Sequence, residues 1–231
     1  MKTKGILFIA FLLTTVVGLA QDCGAFFPFQ KGATIGYAFY DAKGKLTSSS
    51  EQKVVIIDDK GAAGMQAQVE TINFDKNGKE STKGTFEVKC KDGNLYMDIT
   101  SIMAPQMTES FAQMEMTVTG DGLQLPAKLE IGQSLPDASA EFKAASGGIN
   151  IMTMKMDVVE RKVVGKEVVA TGLGSYECYK ISYTTNVKML VNKSFTTIAW
   201  FAPKVGMVKS EVYNKKGTLE SLMELTKFQK S

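Results

Sequence analysis

The chain of 231 residues contains no histidine. That absence removes serine–histidine and cysteine–histidine catalysis, most zinc sites and the usual general base near neutral pH. Arginine occurs once, at Arg161. Bidentate recognition of phosphate or guanine normally uses that side chain, so its scarcity argues against specific nucleic-acid binding. Tryptophan also occurs once, at Trp200, and proline only five times. Beyond the N-terminus no apolar run is long enough to span a bilayer, which takes roughly 20 residues as a helix.

The N-terminus has its own pattern. Lys2 and Lys4 precede an apolar stretch from Ile6 to Val17, followed by small residues at Gly18 and Ala20. This is the charge, length and spacing of a cleavable secretory signal peptide, predicted as residues 1–20 with cleavage after Ala20. The aspartate at position 22 argues against lipidation of Cys23, which needs a small residue directly before it. Residues 21–231 then form one domain in an exported, periplasmic or envelope-associated protein, with no transmembrane segment after cleavage. Of the net charge of +3, two positive charges belong to the leader, so the mature domain is near neutral. Its lysines are scattered, as on a solvated face.

Three cysteines remain: Cys23, Cys90 and Cys178. Outside the cytoplasm one disulfide is expected, with three possible pairings. Cys90 and Cys178 both lie in strand-like segments and are the favoured pair.

The mature chain reads as antiparallel strands. Tyr40–Leu46, Phe74–Glu80 and Tyr213–Leu219 each place an aromatic before Asp or Asn, with Gly three residues after that polar residue. Asp or Asn closes such a corner by bonding forward, and Gly takes the left-handed position. Asp92–Gly93 marks a fourth, shorter hairpin. Between corners, Phe86, Val88 and Cys90 alternate with Glu87 and Lys89, and Tyr179, Ile181 and Tyr183 alternate with Lys180 and Ser182. That period of two means one buried and one wet face. One short helix is predicted from Pro105, with Met107, Phe111 and Met114 on one side. The fold class is therefore all-β, an antiparallel half-barrel or barrel covered by one short helix.

There are thirteen methionines, and five of them form two ladders. Met152, Met154 and Met156 share one strand face with Val158, and Met114 and Met116 share another with Val118. Methionine fills irregular core gaps, lines adaptable apolar sites, and can bind copper(I) through its thioether. Without histidine, an apolar lining outranks a metal site. The predicted ligand-lining set is Met107, Phe111, Met114, Met116, Met152, Met154 and Met156. No catalytic residue, metal ligand or cofactor is assigned. Glu160 with Glu167, and Asp58 with Asp59, are the available carboxylate pairs, but they lie in polar, turn-like contexts. Gly172–Ser175 reads GLGS and lacks the spacing and following helix of a phosphate loop.

Five segments taken in order, CGAFFPFQKGATIGY, FEVKCKDGNLYMDI, LEIGQSLPDA, RKVVGKEVVATGLGSYECYKISY and AWFAPKVGMVKSEVYNKKGTL, resemble the TapB-family exported proteins of Bacteroidetes type, related to an exported domain family of unknown function. The family's turn before the CYK segment reads Pro-Ala-Gly, where this chain has Gly172–Gly174. Arg161, Lys162, Cys178 and Trp200 fall on matching positions. The resemblance implies a half-barrel like that of periplasmic lipoprotein carriers and transfers no functional residues. Together these readings point to a non-enzymatic envelope protein that binds a lipid or other apolar ligand in a methionine-lined concavity. The alternative is a structural or partner-binding protein whose barrel is filled by its own side chains.

Overall fold

Three corners of the chain share one hydrogen-bond pattern. Asp41 Oδ1 accepts the backbone N–H groups of Lys43 and Lys45, both at 2.9 Å. Asp75 Oδ1 accepts those of Asn77 at 2.8 Å and Lys79 at 2.9 Å. Asn214 Oδ1 accepts those of Lys216 and Thr218. Gly44, Gly78 and Gly217 close these turns at φ of 74°, 79° and 74°, where a side chain would be strained. At the fourth corner Asp92 and Gly93 both have positive φ, 52° and 71°, as a two-residue hairpin turn requires. All four corners lie where the residue pattern puts them.

The computed structural model describes residues 23–98 and 114–230. Thirteen strands run in chain order: β1 (Thr34–Asp41), β2 (Leu46–Asp59), β3 (Met65–Asp75), β4 (Glu80–Lys91), β5 (Asn94–Met97), β6 (Glu115–Gly120), β7 (Leu123–Pro126), β8 (Ala138–Ser146), β9 (Ile149–Thr171), β10 (Gly174–Lys188), β11 (Lys193–Ala202), β12 (Gly206–Asn214) and β13 (Leu219–Gln229). Among the described residues the one helical piece is a 3-10 turn at Gly61–Ala63. The predicted signal peptide and the predicted helix from Pro105 lie outside the described residues, apart from Met114 at the helix end.

The strands form one open antiparallel sheet in the order β6-β8-β9-β10-β11-β12-β13-β1-β2-β3-β4-β5-β7, the arrangement of a half-barrel. It is two meanders, β1 to β5 and β8 to β13, joined where the first strand pairs with the last: Thr34 lies opposite Gln229 and Tyr40 opposite Leu222. The two edge strands, β6 and β7, are chain neighbours separated only by Asp121 and Gly122.

The period-two reading holds on β4, where Phe86, Val88 and Cys90 are buried. On β10 the pairing slips at Lys180/Ile181 and again at Ser182/Thr184, so alternation is broken: Cys178 and Ile181 are both buried. The main core joins Ile35, Tyr37, Val54, Val69, Phe86, Val88, Val163, Ile181, Val208 and Leu225 from both meanders. A smaller cluster, Ala138, Ala140, Phe142, Met154 and Val158, fills the β8–β9 region.

The segment before β1 also belongs to the core. Phe26 and Phe27 are buried in it, Phe26 meets Tyr179 and Phe201 edge-on, and Lys204 donates its N–H to the Ala25 carbonyl at 2.7 Å. Its covalent tether corrects the favoured pairing. Cys23, not Cys178, is bonded to Cys90, and Cys178 is free and buried. Six strands separate β4 from β10 in the sheet order, whereas the N-terminal segment is not bound to the sheet's register and can reach β4.

Candidate functional site: an apolar cavity beneath the N-terminal segment

The concave side of the sheet encloses a cavity of about 270 Å³. Its walls come from both meanders. β1 contributes Ile35, Tyr37 and Phe39, which alternation puts on one face, and β4 contributes Phe86 and Val88 with Met97 from β5. From the other meander come Phe201, Val205, Met207 and Met223. Phe26 and Phe27 of the N-terminal segment also border it, and its polar lining is Tyr37, Gln52 and Ser210. Burial pushes the Tyr37 hydroxyl well above the usual tyrosine range, so this group stays protonated and able to donate.

The predicted ladders are elsewhere. Met154 is buried in the β8–β9 cluster, opposite Phe142, and Met156 packs against that cluster opposite Ala140. Met152 lies opposite Ala144 and Met116 opposite Ala144 on its other side, both half-buried. Met114 is half-buried just before β6. Met107 and Phe111 lie outside the described residues. The alanines of β8 leave room beside the longer methionines of β6 and β9, which methionine is flexible enough to fill. The cavity's own methionines are Met97, Met207 and Met223. The signals that mark it are the aromatic run at Phe26, Phe27 and Phe29 and the alternation of Ile35, Tyr37 and Phe39.

The carboxylate pairs do not converge. Glu160 accepts from Thr184 at 2.9 Å, while Glu167 accepts from Trp200 Nε1 and pairs with Lys180 at 3.3 Å. Asp58 pairs with Lys60, and Asp59 accepts the Gly61 N–H. Gly172–Gly174 is the β9–β10 turn, held by Thr171 Oγ1 accepting the Leu173 N–H. Among the described residues no group of three or more Cys, Asp or Glu side chains could hold a metal ion.

Trp200 stands on the strand face opposite Phe201. It is buried between the ammonium groups of Lys180 and Lys209, 5.2 and 5.0 Å from the ring centre. The Trp200 N–H, with Lys180 beside it, holds the Glu167 carboxyl below the usual glutamate range. The lone Arg161 is also buried. Its guanidinium donates to the Pro136 and Gln124 carbonyls, tying β9 to the edge strand β7 and to the segment before β8.

The chain matches a model of the DUF3108-like family over residues 30–225. It belongs to that family, which has no assigned function. A Bacteroides fragilis protein described as exported and as having a YmcC-like fold superposes with a TM-score of 0.74 at 26% identity, covering 90% of this chain and 100% of its own. A Parabacteroides distasonis protein described as a lipoprotein superposes with a TM-score of 0.75 at 22% identity, with the same coverage, and shows the fold alone. No curated protein matches.

Proposed function

We propose that this protein is an exported, non-enzymatic envelope protein that holds one acyl chain, free or as part of a lipid, in the cavity beneath its N-terminal segment. The observation that carries the reading is the cavity itself: an apolar concavity with aromatic walls and three polar side chains among its lining. Sites of this kind bind apolar bodies and orient them through a few polar groups. Its volume lies just below the usual range of about 300–1,000 Å³, which suits a single chain and not a diacyl lipid. Export is supported by the N-terminal signal pattern and by the description of the Bacteroides fragilis relative as exported. The narrower TapB grouping rests on the sequence segments alone.

The test is native mass spectrometry of protein purified from a periplasm, with extraction and identification of any bound molecule. A stoichiometric fatty acid or lipid is expected, and it should be lost in Ser210→Trp, which fills the cavity, while the variant's thermal unfolding stays cooperative. An unliganded protein that also takes up no added fatty acid would sink the reading. A second reading is favoured by Phe26 and Phe27, which are buried in the core at the border of the cavity: a structural or partner-binding envelope protein filled by its own side chains. It predicts that unliganded outcome.

A further inference from the structure

The two ends of the sheet differ in chemistry. At one end lie the turns after β1, β3, β8, β10 and β12, as the antiparallel pairings require. The corners following β1, β3 and β12 and the loop following β10 carry two lysines each, against two aspartates and one glutamate, Glu80. Those aspartates, Asp41 and Asp75, are engaged by the N–H groups of their own turns. At the opposite end the turns after β2, β4, β9 and β11 carry at most one lysine each, and the first two carry aspartate beside it.

The lysine-rich end is also where apolar side chains stand out of the protein. Ten large apolar side chains are exposed among the described residues, and five of them are Ile149, Ile151, Met189, Leu190 and Val191. The β10–β11 loop reads Lys-Met-Leu-Val-Asn-Lys from Lys188 to Lys193. It has neither the Asp or Asn cap nor the glycine that closes the corners after β1, β3 and β12, and Leu190 is fully exposed. Solvent-facing turns favour polar residues and glycine. An apolar tip at full exposure, bracketed by cations, does nothing for the fold and marks a contact surface. Lys188 pairs with Asp157 at 3.3 Å, and Lys193 has no ion pair among the described residues.

We propose that this end of the half-barrel docks on an anionic phospholipid surface, with the Met189–Val191 tip entering the interface. The charge selects the occupant. Apolar tips that enter roughly 5–10 Å into the headgroup boundary bind weakly alone and gain from adjacent basic residues on anionic lipid. Lysine stems lie along the apolar surface while their ammonium groups reach phosphates. A neutral protein partner would need the apolar tip but not the ring of lysines. The inference goes beyond the cavity reading and holds whatever the cavity contains.

The experiment is co-sedimentation of the mature protein with phosphatidylcholine vesicles, and with the same vesicles doped with phosphatidylglycerol, at low and high salt. Binding is expected only to the doped vesicles, is lost in Leu190→Asp, falls in Lys188→Gln/Lys193→Gln, and is suppressed by salt. Thermal unfolding of these surface variants should match the parent, and Met189→Ser/Val191→Ser serves as an independent variant of the tip. The cavity-filling Ser210→Trp should bind vesicles like the parent, which separates this inference from the cavity reading. Equal binding by parent and Leu190→Asp, or no binding to doped vesicles, overturns the proposal. So does a parent that sediments as a dimer, becomes monomeric in Leu190→Asp and ignores vesicles, because a second copy then covers the tip.

Discussion

Arg161 on β9 donates through Nη2 to the Gln124 carbonyl on β7 at 3.0 Å, across the opening of the sheet. β7 pairs with β5 along one side only. The same guanidinium donates to the Pro136 carbonyl, and the segment between them is laced to β9 by the Leu135 N–H to Arg161 carbonyl bond at 2.8 Å. One cation therefore satisfies acceptors from two separate stretches of chain. Burial lowers its pKa, but a guanidinium remains charged at any ordinary pH.

Replacing Arg161 by Ala leaves both carbonyls without this donor and should destabilise the protein by about 3 kcal/mol. Arg161→Lys keeps the charge but lacks the fork that reaches both acceptors, so it should recover only part of the loss. Urea denaturation followed by Trp200 fluorescence measures both. A change within error of zero in Arg161→Ala would show that the tie does not support the fold.

The Cys23–Cys90 bond closes a sequence separation of 67 residues. On loop-closure grounds, removing it in Cys23→Ser should cost about 4 kcal/mol. Thiol counting checks the pairing directly: the native protein should present no reactive thiol, and the denatured, unreduced protein one, at Cys178.

Burial, and secondarily the Glu167 carboxylate, push the Cys178 thiol up to about 11. Its folded pKa lies above the unfolded value, so its stabilising effect is full below the unfolded pKa and is lost as pH rises towards 11. Stability should decline over that alkaline window, and the decline should be shallower in Cys178→Ala. Alkylation of the native thiol should stay slow at pH 8.

Asp41 and Asp75 have carboxyl groups held below the ordinary range by the N–H groups of Lys45 and Lys43, and of Lys79 and Asn77. Folded values below unfolded ones mean that this stabilisation is present above the unfolded pKa and is lost as pH falls through the folded one. Asn214 makes the same turn without a titrating group. Asp41→Asn/Asp75→Asn should therefore keep neutral stability and show a shallower acid limb in urea midpoints measured from neutral to acid pH.

The contact of Trp200 with Glu167 makes the sole tryptophan a reporter of one carboxylate. Its emission should step at a pH below the usual glutamate range, and the step should vanish in Glu167→Gln. A step at the ordinary glutamate pKa would place the carboxylate away from the indole.

How far the sequence exposes this architecture depends on distance along the chain. The corners at Asp41, Asp75, Asp92 and Asn214 are local chemistry and were readable residue by residue, as was the buried face of β4. The pairing of β1 with β13 is not local, and no pattern in either strand names the other. The cavity was missed for the same reason. Phe26 lies at the start of the described chain, but folding sets it against Phe201, 175 residues further along. Met152, Met154 and Met156 lie opposite Ala144, Phe142 and Ala140 of β8, away from this cavity, and nothing in their spacing says which side chains a neighbouring strand sets against them. Cys23 became the disulfide partner because the segment that carries it crosses to β4.

The seam between β1 and β13 bears on how the molecule is made. Each meander consists of neighbours in sequence and can form from local contacts, but the joint between them needs β13, far along the chain from β1. Long-range pairing of this kind is slow and comes late. The two meanders cannot pair into one sheet until the eleven residues of β13 are in place. Those eleven residues are the keystone of the sheet: without them no strand stands between β12 and β1.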